Sequence, residues 1–334
     1  MSIDQLESIA QAMVAAGKGI IAIDESNATI KKRFDGVGVE NSEEHRRAYR
    51  EMLLTTPRLG EHISGAILYD ETLRQSTKAG VPFTKVMLDN GILPGIKVDK
   101  GPQPLAGFPG ELVTEGLDGL RERLKEYAAL GAKFAKWRAV ITIGEDMPSS
   151  TCIDANCHAL ARYAALCQEA GIVPMVEPEV LMDGSHDIEV CYDVTEVTLR
   201  SLFASLYEHN VMLEGTILKA SMVIAGKDCP EQAAVEEVAE ATVRCLKASV
   251  PASLPGIVFL SGGQSDEQAT AHLNAMNQMG PHPWPLSFSY GRAMQSAALK
   301  LWAKDMKANF AEAQKTVAAR ARDNGLAALG QWKK

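Results

Sequence analysis

Eight short apolar runs, each ending near a polar or charged residue, constrain the fold of this chain more than any other feature. They cover residues 19–24, 65–70, 95–99, 134–140, 173–179, 215–219, 256–261 and 285–289. The runs are short, apolar and mostly rich in β-branched residues, as strands buried on both faces are. Amphipathic stretches separate most of them. Residues 111–130 place Leu117, Leu120, Leu124, Tyr127 and Ala128 on one helical face and stop at Gly131. Asp154 is expected to cap a helix that ends before Gly171. Pro230 is expected to open another, running to about Lys247.

Strands alternating with helices in this way predict an α/β fold, a closed parallel (β/α)8 TIM barrel. The rival topology is a doubly wound open sheet. No G-x-G-x-x-G follows the first run, which weighs against its dinucleotide-binding form. No Pro/Gly/Ser-rich linker, charge block or low-complexity segment divides the 334 residues, so residues 1–334 are read as a single domain.

In such a barrel the catalytic groups sit at the C-terminal ends of the strands. The run ends supply Asp24, Asp70, Lys97 with Asp99, Lys136 with Arg138, Glu177 with Glu179, Lys219, Ser261 and Ser289. Charges inside apolar runs are costly unless paired or functional, so these groups point to one shared polar site. A formal net charge of −8 makes the chain a poor general binder of nucleic acid or anionic membrane. Any phosphate must therefore meet a local cluster of Lys and Arg.

Leu213–Glu214–Gly215–Thr216–Ile217–Leu218–Lys219 puts a lysine at the end of an apolar strand. A lysine among apolar walls and other cations gives up its proton more easily, and a free amine attacks a ketone. A structural ion pair with a glutamate would account for the same stretch, and taken alone the stretch supports both readings. Alternation places Phe134, Lys136 and Arg138 on one strand face, and Glu177 and Glu179 together on another. Carboxylates beside lysines in one cavity divide acid and base roles. The alternative is a solvated charge ladder on an edge strand, which Pro178 would permit.

Leu260–Ser261–Gly262–Gly263–Gln264–Ser265 follows the seventh run, and Ser289–Tyr290–Gly291–Arg292 the eighth. Free N–H groups at a helix N-terminus bind phosphate, and in barrels they do so at these two loops. Asp24–Glu25–Ser26 closes the first run, with Thr29 and Arg33 nearby. That arrangement suits a base and a second anion site, although an Asp-x-Ser sequence is equally a helix cap.

The seven histidines, His45, His62, His158, His186, His209, His272 and His282, form no H-E-x-x-H motif, and most read as helix or loop surface residues. The six cysteines form no C-x-x-C pair and read as reduced, mostly buried thiols. Neither set argues for a metal. The N-terminal residues 1–17 lack a signal-peptide pattern and no run is long enough to span a bilayer, so the cytoplasm is the expected compartment.

Together these segments resemble class I fructose-1,6-bisphosphate aldolase. The likeness runs from Gly17–Lys18–Gly19 to about Lys334. It is carried by Ala22–Ile23–Asp24–Glu25–Ser26, Gly95–Ile96–Lys97–Val98–Asp99–Lys100–Gly101, Phe134–Ala135–Lys136–Trp137–Arg138, Val176–Glu177–Pro178–Glu179, Leu213–Glu214–Gly215, the Ser261 loop and Phe288–Ser289–Tyr290–Gly291–Arg292. The resemblance implies reversible cleavage of fructose 1,6-bisphosphate to dihydroxyacetone phosphate and glyceraldehyde 3-phosphate, in glycolysis and gluconeogenesis. No metal or organic cofactor is implied, the partner being a phosphorylated ketose, and a homotetramer is.

By the same resemblance Lys219 is the Schiff-base lysine, Glu177 the acid/base that dehydrates the carbinolamine, and Asp24 the base for the C4 hydroxyl. Lys136 orients substrate, and Glu179 belongs to its network. Ser261, Gly262 and Arg292 match one phosphate site, with Ser289 and Gly291 in the same eighth-strand motif. Ser26, Thr29, Arg33, Lys97 and Arg138 fall where the other phosphate and the substrate body are held. Three positions depart from the family pattern. Thr29 stands where serine is usual, and Ala220 where proline is common. The sequence ends at Gly330–Gln331–Trp332–Lys333–Lys334, read as a fraying polar end without the terminal tyrosine of many relatives. Another Schiff-base lyase, acting on a deoxysugar phosphate, is the rival enzyme, and two phosphate sites argue against it. A catalytically silent binding scaffold is the other rival, and the filled catalytic positions argue against that.

Overall fold

The computed structural model describes residues 3–334. Eight parallel strands close into a barrel: β1 (Gly19–Ile23), β2 (Ile63–Leu68), β3 (Leu93–Lys97), β6 (Phe134–Ile141), β7 (Val173–Val180), β8 (Ile217–Ala220), β9 (Ile257–Phe259) and β10 (Leu286–Tyr290). Between the third and fourth of these, β4 (Gly101–Pro104) and β5 (Leu112–Glu115) form an antiparallel hairpin outside the barrel.

The helices are α1 (Ile3–Met13), α2 (Asn27–Asp35), α3 (Glu43–Leu54), α4 (Asp70–Arg74), α5 (Phe83–Asp89), α6 (Leu120–Ala129), α7 (Ser150–Glu169), α8 (Ile188–Glu208), α9 (Val235–Ser249), α10 (Asp266–Gln278), α11 (Arg292–Trp302) and α12 (Phe310–Ala327). The predicted (β/α)8 barrel is the observed architecture.

Strand alternation sorts neighbouring residues into two cores. Ile21 and Ile23 pack outward against the helices, while Ile20 and Ala22 join Ile67, Phe134, Val173, Met175, Ile217 and Val258 inside the barrel. Leu6, Ala10 and Met13 of α1 belong to this inner cluster and close its lower end. A Cβ on Gly95 would lie 2.2 Å from the Phe134 ring, so glycine is what lets that ring fill the floor. Because the inner layer is apolar below, the next inward residues on each strand, such as Lys136 after Phe134, form a polar layer above it.

Several local expectations change. The predicted helix over residues 111–130 is a strand, β5, followed by the shorter α6. Gly116 (φ 131°) and Gly119 (φ 68°) turn the chain where an L side chain is strained. A Cβ on Gly116 would also come within 2.9 Å of Lys100 N. Ser149, not Asp154, caps α7, accepting from Cys152 N at 3.1 Å. Helix α9 begins at Val235 rather than Pro230. The intervening residues form a loop in which Gln232 Nε2 donates to the carbonyls of Gly226 and Cys229.

The chain end is pinned rather than frayed. Trp332 packs against the core, its N–H donates to Asn274 Oδ1 at 2.9 Å, and Lys334 pairs with Glu267. His272 is buried, and five other histidines are half-buried, leaving His158 exposed. All six cysteines are buried free thiols. No described helix is long and apolar enough to cross a membrane.

Candidate active site

The barrel's inward alternation lifts charges from four strands to one level. Lys136 Nζ lies 2.8 Å from Asp24 Oδ2 and 3.2 Å from Glu177 Oε2, and Lys219 Nζ lies 2.9 Å from Glu177 Oε1. The row Asp24–Lys136–Glu177–Lys219 thus alternates in sign, and the side chains of Lys136, Glu177 and Lys219 are 5% exposed or less. Strand β7 lies between β6 and β8, so the edge-strand alternative for Glu177 and Glu179 does not hold. Glu179 pairs with Arg138 nearer the mouth.

These groups perturb one another strongly. Burial by itself would raise the Asp24 pKa, but Lys136 and then Lys219 hold the carboxyl far below the usual carboxylate range. Burial likewise opposes ionisation of Glu177, and the charges of Lys136, Lys219 and Arg138 overcome it, so this carboxyl too is lowered. Burial disfavours the Lys136 ammonium, yet Asp24, Glu177 and Asp99 raise its pKa well above that of an ordinary lysine. The opposite charges of Asp24, Lys136 and Glu177 thus favour one another's ionised forms.

Above it opens a cleft of about 350 Å³. Every site residue expected from sequence lines it except Glu177, which lies beneath its wall, and Asp70. Asp70 does not reach it. That residue begins α4 and is held at the barrel's flank by Arg74 and by the Tyr127 hydroxyl at 2.9 Å. Seven lysines and arginines line the cleft against four carboxylates, a local reversal of the chain's acidic balance that suits an anionic ligand.

Two ends of the cleft can hold phosphate. At one, Gly262 (φ 49°) and Gly263 (φ 86°) take left-handed conformations that turn the loop after β9. A Cβ on Gly263 would lie 3.7 Å from Arg292 Nη2, which brings the loops after β9 and β10 together. Arg292 opens α11 and has no carboxylate partner among the described residues. Ser289 Oγ is buried without a hydrogen-bond partner in the protein.

At the other end, Ser26 caps α2, accepting from Thr29 N, so the cap and the site are the same feature. Arg33 pairs with Glu25, and Lys97 pairs with Asp99 while donating to the Asp99 carbonyl at 2.7 Å.

Glu25, Lys100 and Gln295 were not singled out from sequence. Glu25 and Lys100 line the cleft, and Gln295 lies behind Glu25. Glu25 stands next to Asp24, where simple alternation would turn it away from the site. Lys100 had a signal of its own, as a cation immediately after the third run.

Residues 5–334 match the family model described as fructose-bisphosphate aldolase class-I. A probable fructose-bisphosphate aldolase class 1 of Xanthomonas campestris pv. campestris is 76% identical over 333 residues, covering 100% of both chains. Fructose-bisphosphate aldolase 1 of Toxoplasma gondii is 54% identical, over 98% of this chain and 91% of its own. Among solved structures, a fructose-bisphosphate aldolase from Plasmodium falciparum superposes with a TM-score of 0.98 at 49% identity, covering 99% of this chain and 96% of that one. A match of this extent to model, relatives and structure alike shows that the chain belongs to the class I fructose-bisphosphate aldolase family.

Proposed function

We propose that Lys219 is the nucleophile of this aldolase and that the row Asp24–Lys136–Glu177–Lys219 runs its proton transfers. The observation that carries this reading is the 2.9 Å contact between Lys219 Nζ and Glu177 Oε1 at the buried floor of a cationic cleft. Glu177 takes one proton from the Lys219 nitrogen with which it is paired, the freed amine attacks the C2 ketone of fructose 1,6-bisphosphate, and a second N–H proton passes to the C2 oxygen to give the carbinolamine hydroxyl. Forming the carbinolamine removes one of the positive charges that hold Glu177 ionised. Its acidity then weakens toward the ordinary range, and it returns the proton to the departing hydroxyl.

The resulting iminium draws the electron pair of the C3–C4 bond toward the Lys219 nitrogen. Asp24, ionised and beside Lys136, takes the C4 hydroxyl proton. Glyceraldehyde 3-phosphate leaves, and the enamine of dihydroxyacetone phosphate takes a proton at C3 before hydrolysis frees Lys219. The reverse sequence is aldol condensation, which serves gluconeogenesis as cleavage serves glycolysis.

Ser261, Gly262, Ser289, Gly291 and Arg292 suit one phosphate, Arg292 being a guanidinium without a carboxylate partner among the described residues. Ser26, Thr29, Arg33 and Lys97 suit the other, with Arg138 and Glu179 against the substrate body. The assembly we propose is a homotetramer in the cytoplasm, residues 1–334 forming one domain. Val190, Val197 and Tyr207 support self-association, since α8 exposes 41%, 48% and 84% of these side chains.

Borohydride reduction in the presence of dihydroxyacetone phosphate tests the central claim. Peptide mapping is expected to find the added mass on Lys219, and Lys219→Ala to abolish it. Labelling of another lysine would overturn the assignment.

A further inference from the structure

Behind the cleft lies a buried polar cluster that the proton transfers do not use. Gln295 is 1% exposed. Its amide donates to the Ala22 carbonyl at 2.7 Å and to Glu25 Oε1 at 2.8 Å, and its own oxygen accepts from the Tyr49 hydroxyl at 2.9 Å. Glu25 Oε2 accepts from Arg50 Nη2 at 2.7 Å, and Glu25 also pairs with Arg33. Tyr49 is itself fixed, its ring 5.7 Å from Phe34 and 5.4 Å from Trp302.

The placement of these bonds is selective. Ala22 and Glu25 flank Asp24 at the exit of β1, and Gln295 stands one helical turn after Arg292 on α11. Two strands, β10 and β9, separate β1 from β8, which carries Lys219. The cluster therefore holds the strand exit bearing Asp24 and makes no contact with the Lys219–Glu177 pair. A buried amide saturated by three partners is a rigid clamp, because breaking any one of them leaves an unsatisfied group without water.

We infer that Gln295 is a positioning residue for carbon–carbon bond cleavage, acting through Ala22 and Glu25 on the strand exit that carries Asp24. This rests on the roles proposed above for Asp24 and Lys219. Schiff-base formation draws on Lys219, Glu177 and Lys136. Removal of the C4 hydroxyl proton draws on Asp24. Loosening the clamp separates the two steps.

The test compares Gln295→Met, which keeps length and volume but loses the amide, with Tyr49→Phe, which removes one hydrogen bond from Gln295 and touches no substrate. In Gln295→Met, kcat for cleavage of fructose 1,6-bisphosphate is expected to fall roughly 10- to 100-fold, the usual cost of a small misplacement of a reacting group. In Tyr49→Phe it is expected to fall roughly 3- to 10-fold, in line with one hydrogen bond. In both, the rate of borohydride trapping at saturating dihydroxyacetone phosphate is expected to stay within about twofold of the unaltered enzyme, because saturation offsets any change in binding and Lys219, Glu177 and Lys136 keep their mutual contacts. If Gln295→Met fails to fold, the split in Tyr49→Phe decides. Unchanged cleavage, or cleavage and trapping falling together, overturns the inference while leaving the site assignment intact. Failure of the unaltered enzyme to trap on Lys219 overturns the assignment and the inference with it.

Discussion

Glu177 divides its carboxylate between two lysines, with Oε1 2.9 Å from Lys219 Nζ and Oε2 3.2 Å from Lys136 Nζ. One partner is the proposed nucleophile and the other carries the proposed base, Asp24, at 2.8 Å. A proton moved at one end of the row therefore changes the electrostatics at the other. On the roles proposed for these residues, the arrangement would couple formation of the iminium to readiness for bond cleavage.

Glu177→Gln keeps the shape of this contact and removes its ability to exchange a proton. Dehydration of the carbinolamine is expected to slow by roughly 10²- to 10⁴-fold, the usual worth of a general acid/base. Rapid-quench borohydride trapping measures it directly. Wild-type trapping in Glu177→Gln, with loss in Glu179→Gln instead, would exchange the two roles.

Lys97 tests the assignment of the phosphate ends. Lys97→Met keeps the stem and loses one charge-assisted contact, worth roughly 1.5–3 kcal/mol, so KM for fructose 1,6-bisphosphate is expected to rise roughly 10- to 150-fold. Fructose 1-phosphate lacks the second phosphate, and its KM is expected to change little. Equal increases for both sugars would place Lys97 at the other end.

Strand alternation made part of the polar row legible in the sequence, while the choice of inward face stayed open until the family resemblance was added. Lys136 two residues after Phe134, and Glu177 two after Met175, must point inward if those apolar residues do. What alternation does not carry was missed. The turn at Gly116 depends on a hairpin packing within 2.9 Å of Lys100 N, a contact that no local pattern announces. Asp70 ends an apolar run as the site residues do, yet Arg74 and Tyr127 divert it to the flank. Gln295 bonds to Glu25 across 270 positions, so its burial follows only from barrel closure.

Chelation should leave the activity unchanged. The carboxylates of the site are each engaged by a lysine or arginine, and the described residues contain no cluster of three or more His, Cys, Asp or Glu side chains arranged to hold a metal ion. The iminium proposed on Lys219 would supply the electron withdrawal that a metal supplies elsewhere. Incubation with EDTA followed by a cleavage assay measures this, and activity lost to chelator and restored by zinc would contradict it.

His272 gives the fold a pH dependence that can be isolated. It lies on α10, 3% exposed, with Nδ1 2.6 Å from Gln264 Oε1 in the loop that turns toward Arg292. Burial pushes its pKa from 6.5 down to about 4, only partly countered by Glu236. The folded state thus keeps the ring neutral where the unfolded chain protonates it. The stability gained is fully present above about pH 6.5 and is lost as pH falls toward 4. Between pH 7.5 and 5 the loss amounts to roughly 2 kcal/mol, which for a chain of this length lowers Tm by roughly 3 °C. Asp24 and Glu177 are also lowered, but relative to ordinary values of 3.8 and 4.5, so their contributions fade mainly below this window. His272→Gln replaces the ring with a group that hydrogen-bonds but does not titrate. Thermal unfolding of both proteins at pH 7.5 and 5 should show the wild type losing about 3 °C more than the variant, since every other group titrates alike in the two. Equal losses would mean that the ring protonates in the folded state as readily as in the unfolded one.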